Sequence, residues 1–130
     1  MNVILLPIKP RYVDKIFEGI KRFEFRRVCC KKEPDKIIIY STAPIKKVVG
    51  EVEIIETLQD KPNEIWSITS GYAGISRGEF DMYFKDKNIA TAYRLGKTQR
   101  YMPAKSLVDY GIYHAPQSFI YLLAEEVQGE

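Results

Sequence analysis

Across a single glycine the apolar period of this chain changes from that of a helix to that of a strand. Val13, Ile16, Phe17 and Ile20 recur at spacings of three or four, and Pro10 stands at a first helical position, where its missing N–H is no loss. Gly19 supplies the left-handed stop. Beyond it Phe23 and Phe25 alternate with Arg22, Glu24 and Arg26, so aromatics take one face of a strand and charges the other. The chain therefore contains a helix over residues 9–18 joined by a tight turn to a half-buried strand, with Lys21 at the junction. All-helical and all-strand folds are excluded.

The rest of the chain reads as short strands with a few helices between them. A first strand is expected over residues 2–8, with Pro7 marking its end, and residues 28–35, with their charges and Pro34, read as a loop. Residues 37–42 are apolar on both faces, as in a strand covered on both sides or lying in a closing barrel. Ala43-Pro44 breaks that strand, and residues 48–57 form the next, where Gly50 marks a bulge or a close backbone approach. A short helix is expected within residues 60–70, with Trp66 among isoleucines as a core residue. Ser76 and Glu79 make a capping-box pattern ahead of Phe80, Tyr83 and Phe84, for a helix ending near Lys87. Residues 89–101 favour a strand pair turning at Gly96-Lys97, then a short extended piece at 103–107. Residues 119–123 make the last strand, ahead of a frayed acidic tail. The sum is an α+β, barrel-like fold, expected as one domain over residues 1–130.

Composition narrows the chemistry. No apolar run approaches the roughly 20 residues of a membrane helix, and the N-terminus lacks a leader pattern, so a cytoplasmic protein without a membrane partner is expected. Cys29 and Cys30 are adjacent, a poor geometry for a structural disulfide, and His114 is the one histidine. A zinc site or a Ser–His or Cys–His arrangement has almost no material, and no metal or cofactor is expected. Net charge is only +3, yet residues 9–32 hold nine bases against three acids. Such polarity suits a face that meets a phosphate backbone, or simply a solvated run of lysines.

The spacing Gly19-x-Lys21-x-x-Glu24-x-Arg26 resembles the signature of the ASCH domains, a branch of the PUA-like superfamily. The likeness continues through Ile8-Lys9-Pro10, Ile37-Ile38-Ile39-Tyr40 with Ser41-Thr42-Ala43-Pro44, Val48-Val49-Gly50-Glu51-Val52 and Pro116-Gln117-Ser118-Phe119. It implies a PUA-like mixed β-barrel flanked by short helices. It also implies binding of RNA or modified nucleotides in a cleft lined by Lys21, Glu24 and Arg26, with Gly19 as the backbone turn. Some members are enzymes. One bacterial branch hydrolyses the acetyl amide of acetylated cytidine, with a lysine matching Lys21, a threonine where this chain has Glu24, and a glutamate just before the later helix. Here the segment Ser70-Gly71-Tyr72-Ala73-Gly74-Ile75 has no acid, so two of those three groups are missing. Other members resemble ribonucleases, for which Lys21, Glu24 and Arg26 would form an acid–base and phosphate-stabilising set.

Residue chemistry supports the same stretch. Like charge from Arg22 and Arg26 would lower the pKa of Lys21 towards that of a nucleophile or base, and Glu24 would raise it. The plainer alternative is a surface lysine beside an ion pair worth at most about 1 kcal/mol. Arg26 offers a planar fork to phosphate or carboxylate. Tyr40, Ser41 and Thr42 offer hydroxyls to a base or sugar, or only finish a strand. Arg94, Lys97 and Arg100, interleaved with Tyr93 and Tyr101, resemble a single-strand nucleic-acid surface or an ordinary hairpin. Three functions follow as expectations. The first is an RNA- or nucleotide-binding module, with a regulatory role, whose basic cleft holds Lys21, Arg22, Glu24 and Arg26, with Tyr40, Ser41 and Thr42 as further contacts. The second is a hydrolase acting on RNA or a modified nucleoside, with Lys21 as base or nucleophile and Glu24 its partner. The third is a protein-interaction domain. DNA is a second nucleic-acid candidate, and the sequence leaves the oligomeric state open.

Overall fold

Short apolar runs, some alternating and some continuous, give the strands, and α-helices start at Pro10, Pro62 and Arg77. The computed structural model describes residues 1–122. In order these are β1 (Val3–Ile8), α1 (Pro10–Glu18), β2 (Phe23–Arg26), β3 (Lys36–Ser41), β4 (Lys47–Asp60), α2 (Pro62–Thr69), α3 (Arg77–Tyr83), β5 (Ala90–Lys105) and β6 (Ile120–Leu122). Short 3₁₀ turns cover Ser70–Tyr72 and Leu107–Tyr110. Leu123 and the acidic tail lie outside the described residues. Among the described residues no helix is long and apolar enough to cross a membrane.

The strands form one sheet in the order β2-β5-β4-β3-β1-β6, with β1 and β3 parallel and the other neighbours antiparallel. The apolar runs of β1 and β3 are buried on both faces, as their lack of alternation predicts. Ile4, Leu6, Ile37 and Ile39 pack against Val13 and Ile16 of α1. Val3, Leu5, Ile38 and Tyr40 pack with Tyr101 and Tyr110 on the opposite side. A third cluster of Phe23, Phe25, Ile65, Phe80 and Phe84 holds α2 and α3 against β2 and the start of β5. Within it Phe25 meets Phe80 edge-on, with ring centroids 5.3 Å apart. Trp66 packs on the same Phe80, with centroids 5.0 Å apart.

Two elements differ from expectation. The strand pair expected within residues 89–101 is one strand, because β5 runs unbroken through Gly96 and Lys97. Val52 pairs with Thr98 and Ile54 with Leu95, so the two supposed turn residues together oppose the single Glu53 of β4 in a bulge. α3 ends at Tyr83 instead of near Lys87, and the chain then reverses through Asp86 at φ 64. The capping box itself is present: Ser76 Oγ accepts from the Glu79 N–H at 3.1 Å, and Glu79 accepts from the Ser76 N–H at 3.2 Å.

The α+β class stands, and the sheet is open: among the described residues no backbone ladder joins β2 to β1 or β6. A side chain bridges the gap instead. Arg26 Nη2 of β2 donates to the Pro7 carbonyl of β1 at 3.0 Å. Pro7 lies within β1, paired with Tyr40 of β3.

Gly50 marks a register shift in β4, and a Cβ there would press on the Gln99 carbonyl, on Phe17 Cζ at 2.5 Å and on Arg100 Cα at 3.1 Å. Gly50→Ala is expected to destabilise the protein by about 1–3 kcal/mol, as overpacking does. In urea unfolding the midpoint falls at unchanged slope; an unchanged midpoint would contradict the close approach.

Candidate functional site

The seam that Arg26 bridges opens into a cleft of about 570 Å³. Pro7, Ile8 and Lys9 from the end of β1 form one side, Arg11 and Tyr12 of α1 the next, Lys21, Glu24 and Arg26 the base, and Gly78, Glu79 and Tyr83 of α3 the far wall. The local sequence puts them there. The left-handed Gly19, at φ 81, ends α1 with its N–H on the Ile16 carbonyl, and the Ile20 N–H returns to the Lys15 carbonyl. Two residues later the chain enters β2, whose charged face turns into the cleft while Phe23 and Phe25 enter the core. That charged face is buried too, so β2 is covered on both sides.

Lys21 is the centre of this arrangement. It is 2% exposed, and its Nζ donates to the Ala73 carbonyl at 2.8 Å while lying 3.9 Å from Glu24 Oε1. The ammonium faces the Tyr12 and Phe25 rings, 5.3 and 4.8 Å from their centroids. Burial lowers its pKa below the ordinary lysine value; Glu24 opposes this, while Arg26 and Lys15 reinforce it. Desolvation outranks the like charge anticipated from the sequence, and Arg22 takes no part in it.

The loop between α2 and α3 holds the amine. The Arg22 N–H donates to the Tyr72 carbonyl at 2.8 Å, docking the loop on the start of β2. Gly74, at φ 70, lies so close to the lysine stem that a Cβ would come within 2.5 Å of Lys21 Cβ and Cγ. Lys15 Nζ donates to the Gly74 carbonyl at 3.1 Å, fixing the loop from α1.

Glu24 and Arg26 form a pair at 2.7 Å, with side chains 7% and 21% exposed. One nitrogen of the guanidinium thus serves both Glu24 and Pro7, and its Nε is buried without a partner. Across the cleft, Glu79 Oε2 accepts from Tyr12 Oη at 2.7 Å and from Arg11 Nη2 at 3.1 Å. These bonds and the Ser76 N–H hold the Glu79 pKa below the carboxylate range, while burial and Glu79 raise that of Tyr12. Sequence reading found Glu79 only as a helix cap. Its second role depends on Tyr12, 67 residues away, which no local pattern signals.

Among the other residues named from the sequence, Arg22 leaves the cleft. It lines a neighbouring groove, stacks on Tyr72 at 4.3 Å, and donates from Nε to the Gly19 carbonyl at 3.2 Å. Tyr40 and Ser41 are buried at the end of β3, Thr42 follows them half-buried, and none of the three lines the cleft. Glu51 pairs with Lys36 at 2.7 Å and Glu53 is exposed, both away from the cleft. Tyr93 and Tyr101 are buried, so they offer no stacking faces. Among the described residues no group of three or more His, Cys, Asp or Glu side chains is arranged to hold a metal ion.

Gly74→Ala must displace the lysine stem and adopt a positive φ, and is expected to cost about 1–3 kcal/mol. Gly71→Ala in the same loop meets open space and serves as the control. Equal urea midpoints for the two variants would contradict the packing of Gly74 on Lys21.

Residues 1–112 match a family described as Domain of unknown function (DUF365). Two proteins of Ureaplasma parvum serovar 3, named ATP synthase subunit alpha and Large ribosomal subunit protein uL22, are 28% identical over 122 residues, 93% of this chain. The chain spans only 15% and 39% of their respective lengths. A protein of Zymomonas mobilis subsp. mobilis named ASCH domain-containing ribonuclease is 30% identical over 128 residues, covering 95% of this chain and 86% of that protein. The crystal structure of ASCH from Zymomonas mobilis superposes with a TM-score of 0.88 at 28% identity, over 98% of this chain and 92% of that one. With the family match running through the whole cleft and a relative of the same fold covered over 86% of its length, the chain belongs to the family described as DUF365 and to the ASCH domain family.

Proposed function

We propose that the seam cleft binds RNA and that Lys21, in its neutral form, acts there as a general base, making the chain a ribonuclease-type enzyme. The observation that carries this is the desolvated lysine itself. A lysine that only attracts phosphate works best charged and solvent-facing, whereas Lys21 is buried with its pKa lowered. The Zymomonas relative named a ribonuclease supports the substrate class. Four basic side chains, Lys9, Arg11, Lys21 and Arg26, line the cleft against Glu24 and Glu79, which suits a polyanion.

In the reaction, Lys21 Nζ takes the proton of a ribose 2′-hydroxyl as that oxygen attacks the adjacent phosphorus. The bond to the 5′-oxygen breaks, and the leaving oxygen takes a proton from solvent. Arg11, with a side chain 61% exposed at the cleft wall, offers its positive charge to the phosphate oxygens. Glu24 holds Arg26 and lies close enough to Lys21 to stabilise the ammonium that forms. The second reading is a binding module without turnover, favoured by the hydrogen bond that already engages Lys21 Nζ with the Ala73 carbonyl.

Lys21→Met is expected to lower RNA cleavage by about 10²–10⁴-fold, the usual weight of a general base, with an unchanged circular dichroism spectrum. In the wild type, activity rises with pH as Lys21 loses its proton. Because its pKa is lowered, the rise levels off below about 10.4, the value of a free lysine. Binding of intact RNA with no lysine-dependent cleavage at any pH would reject the enzyme and leave the binding module.

A further inference from the structure

Six of the seven arginines lie over an aromatic ring, and the exception, Arg26, is the one in the seam. Of the six, Arg11, Arg77 and Arg94 also pair with an acid. Arg22, Arg27 and Arg100 have no ion pair among the described residues. Two of these flank a second groove. Its volume is about 320 Å³, and it runs along the C-terminal half of α1 from Gly19 to the bulged stretch of β5. Arg22 lines it directly, and Arg100 lies on the ring of its wall residue Phe17, 4.2 Å from the centroid. No acid lines it, and the stem of Lys21 forms part of both its wall and that of the cleft.

We propose that this groove is a second subsite for single-stranded RNA, in which Arg22 and Arg100 hold the phosphates of nucleotides leaving the cleft. The inference rests on the cleft being an RNA site. Three features fit a flexible polyanion. The guanidinium groups are held on rings, so less freedom is lost when each meets a phosphate. The floor at Gly96 and Thr98 lets the strand lie close to backbone, and the half-buried Phe17 gives the bases an apolar edge. The groove and the cleft share Lys21 as a wall, so nucleotides held in the two lie on either side of one residue.

The test titrates a fluorescent twelve-nucleotide oligouridylate and a labelled uridine dinucleotide, both 2′-O-methylated so that they bind without being cleaved, into wild type, Arg100→Gln and Arg100→Lys at several potassium chloride concentrations. For the twelve-mer, Arg100→Gln is expected to flatten the plot of log affinity against log salt by about 0.7, the share of one phosphate on a single strand. Arg100→Lys keeps the wild-type slope, and dinucleotide affinity is the same in all three proteins. An unchanged twelve-mer slope in Arg100→Gln, or an equal loss of dinucleotide affinity, overturns the second subsite while leaving the cleft as an RNA site. Failure of the wild type to bind either probe overturns the RNA reading of the cleft and this subsite with it.

Discussion

Taking one lysine amine out of water is the constraint on which the site depends. An ammonium inside protein is costly unless it is paired or gives up its proton, and the surroundings of Lys21 do both in part. The Ala73 carbonyl accepts its hydrogen bond, two rings face the charge, and Glu24 stands 3.9 Å away. Apart from Glu24 and Phe25, which are consecutive in β2, these groups lie far apart in sequence. They meet because Gly19 ends α1 where it does, β2 begins at Phe23, and the loop after α2 folds back over the lysine stem with a glycine at the tightest point. A side chain at Gly74 or a helix one residue longer would move the amine.

The open edge of the sheet matters equally. Had β2 paired with β1 through the backbone, the cleft would be filled by a ladder. Instead one guanidinium spans the seam, its Nη2 donating to both the Glu24 carboxylate and the Pro7 carbonyl. The Glu24–Arg26 pair is therefore part of the architecture as much as of the chemistry. Removing Glu24 would leave the Arg26 guanidinium with the Pro7 carbonyl alone, and removing Arg26 would leave Glu24 to Lys21. Opposite it, Glu79 ties α3 to α1 through Tyr12 and Arg11, so charge-assisted bonds fix the walls as well as the charged base.

The local half of this was legible in the sequence. The helix, the left-handed glycine and the aromatic–charged alternation that follow one another from Pro10 to Arg26 are rules of spacing, and the structure follows them. The capping box at Ser76 and the fully buried β3 were equally local. What failed was long-range. Gly96-Lys97 carries the chemistry of a hairpin turn, and only the pairing of Val52 with Thr98 and Ile54 with Leu95 turns it into a bulge. The charged face of β2 looked solvent-exposed because nothing nearby announces that α1 and α3 cover it. Glu79 was visible as a cap and invisible as a cleft residue, since its partner Tyr12 lies in another helix. Tyr40 and Ser41 have hydroxyls at a strand end, a pattern that says nothing about whether the end is buried.

The state of the Lys21 amine is open to direct observation. Carbon-13 labelling of the lysine side chains, with Lys21 assigned by its absence from Lys21→Met, allows each Cε resonance to be followed as pH is raised. The account predicts that Lys21 titrates below about 10.4, the value of a free lysine. A Lys21 midpoint at or above that value would mean that Glu24 outweighs burial, and the lysine would then be a fixed cation instead of a base.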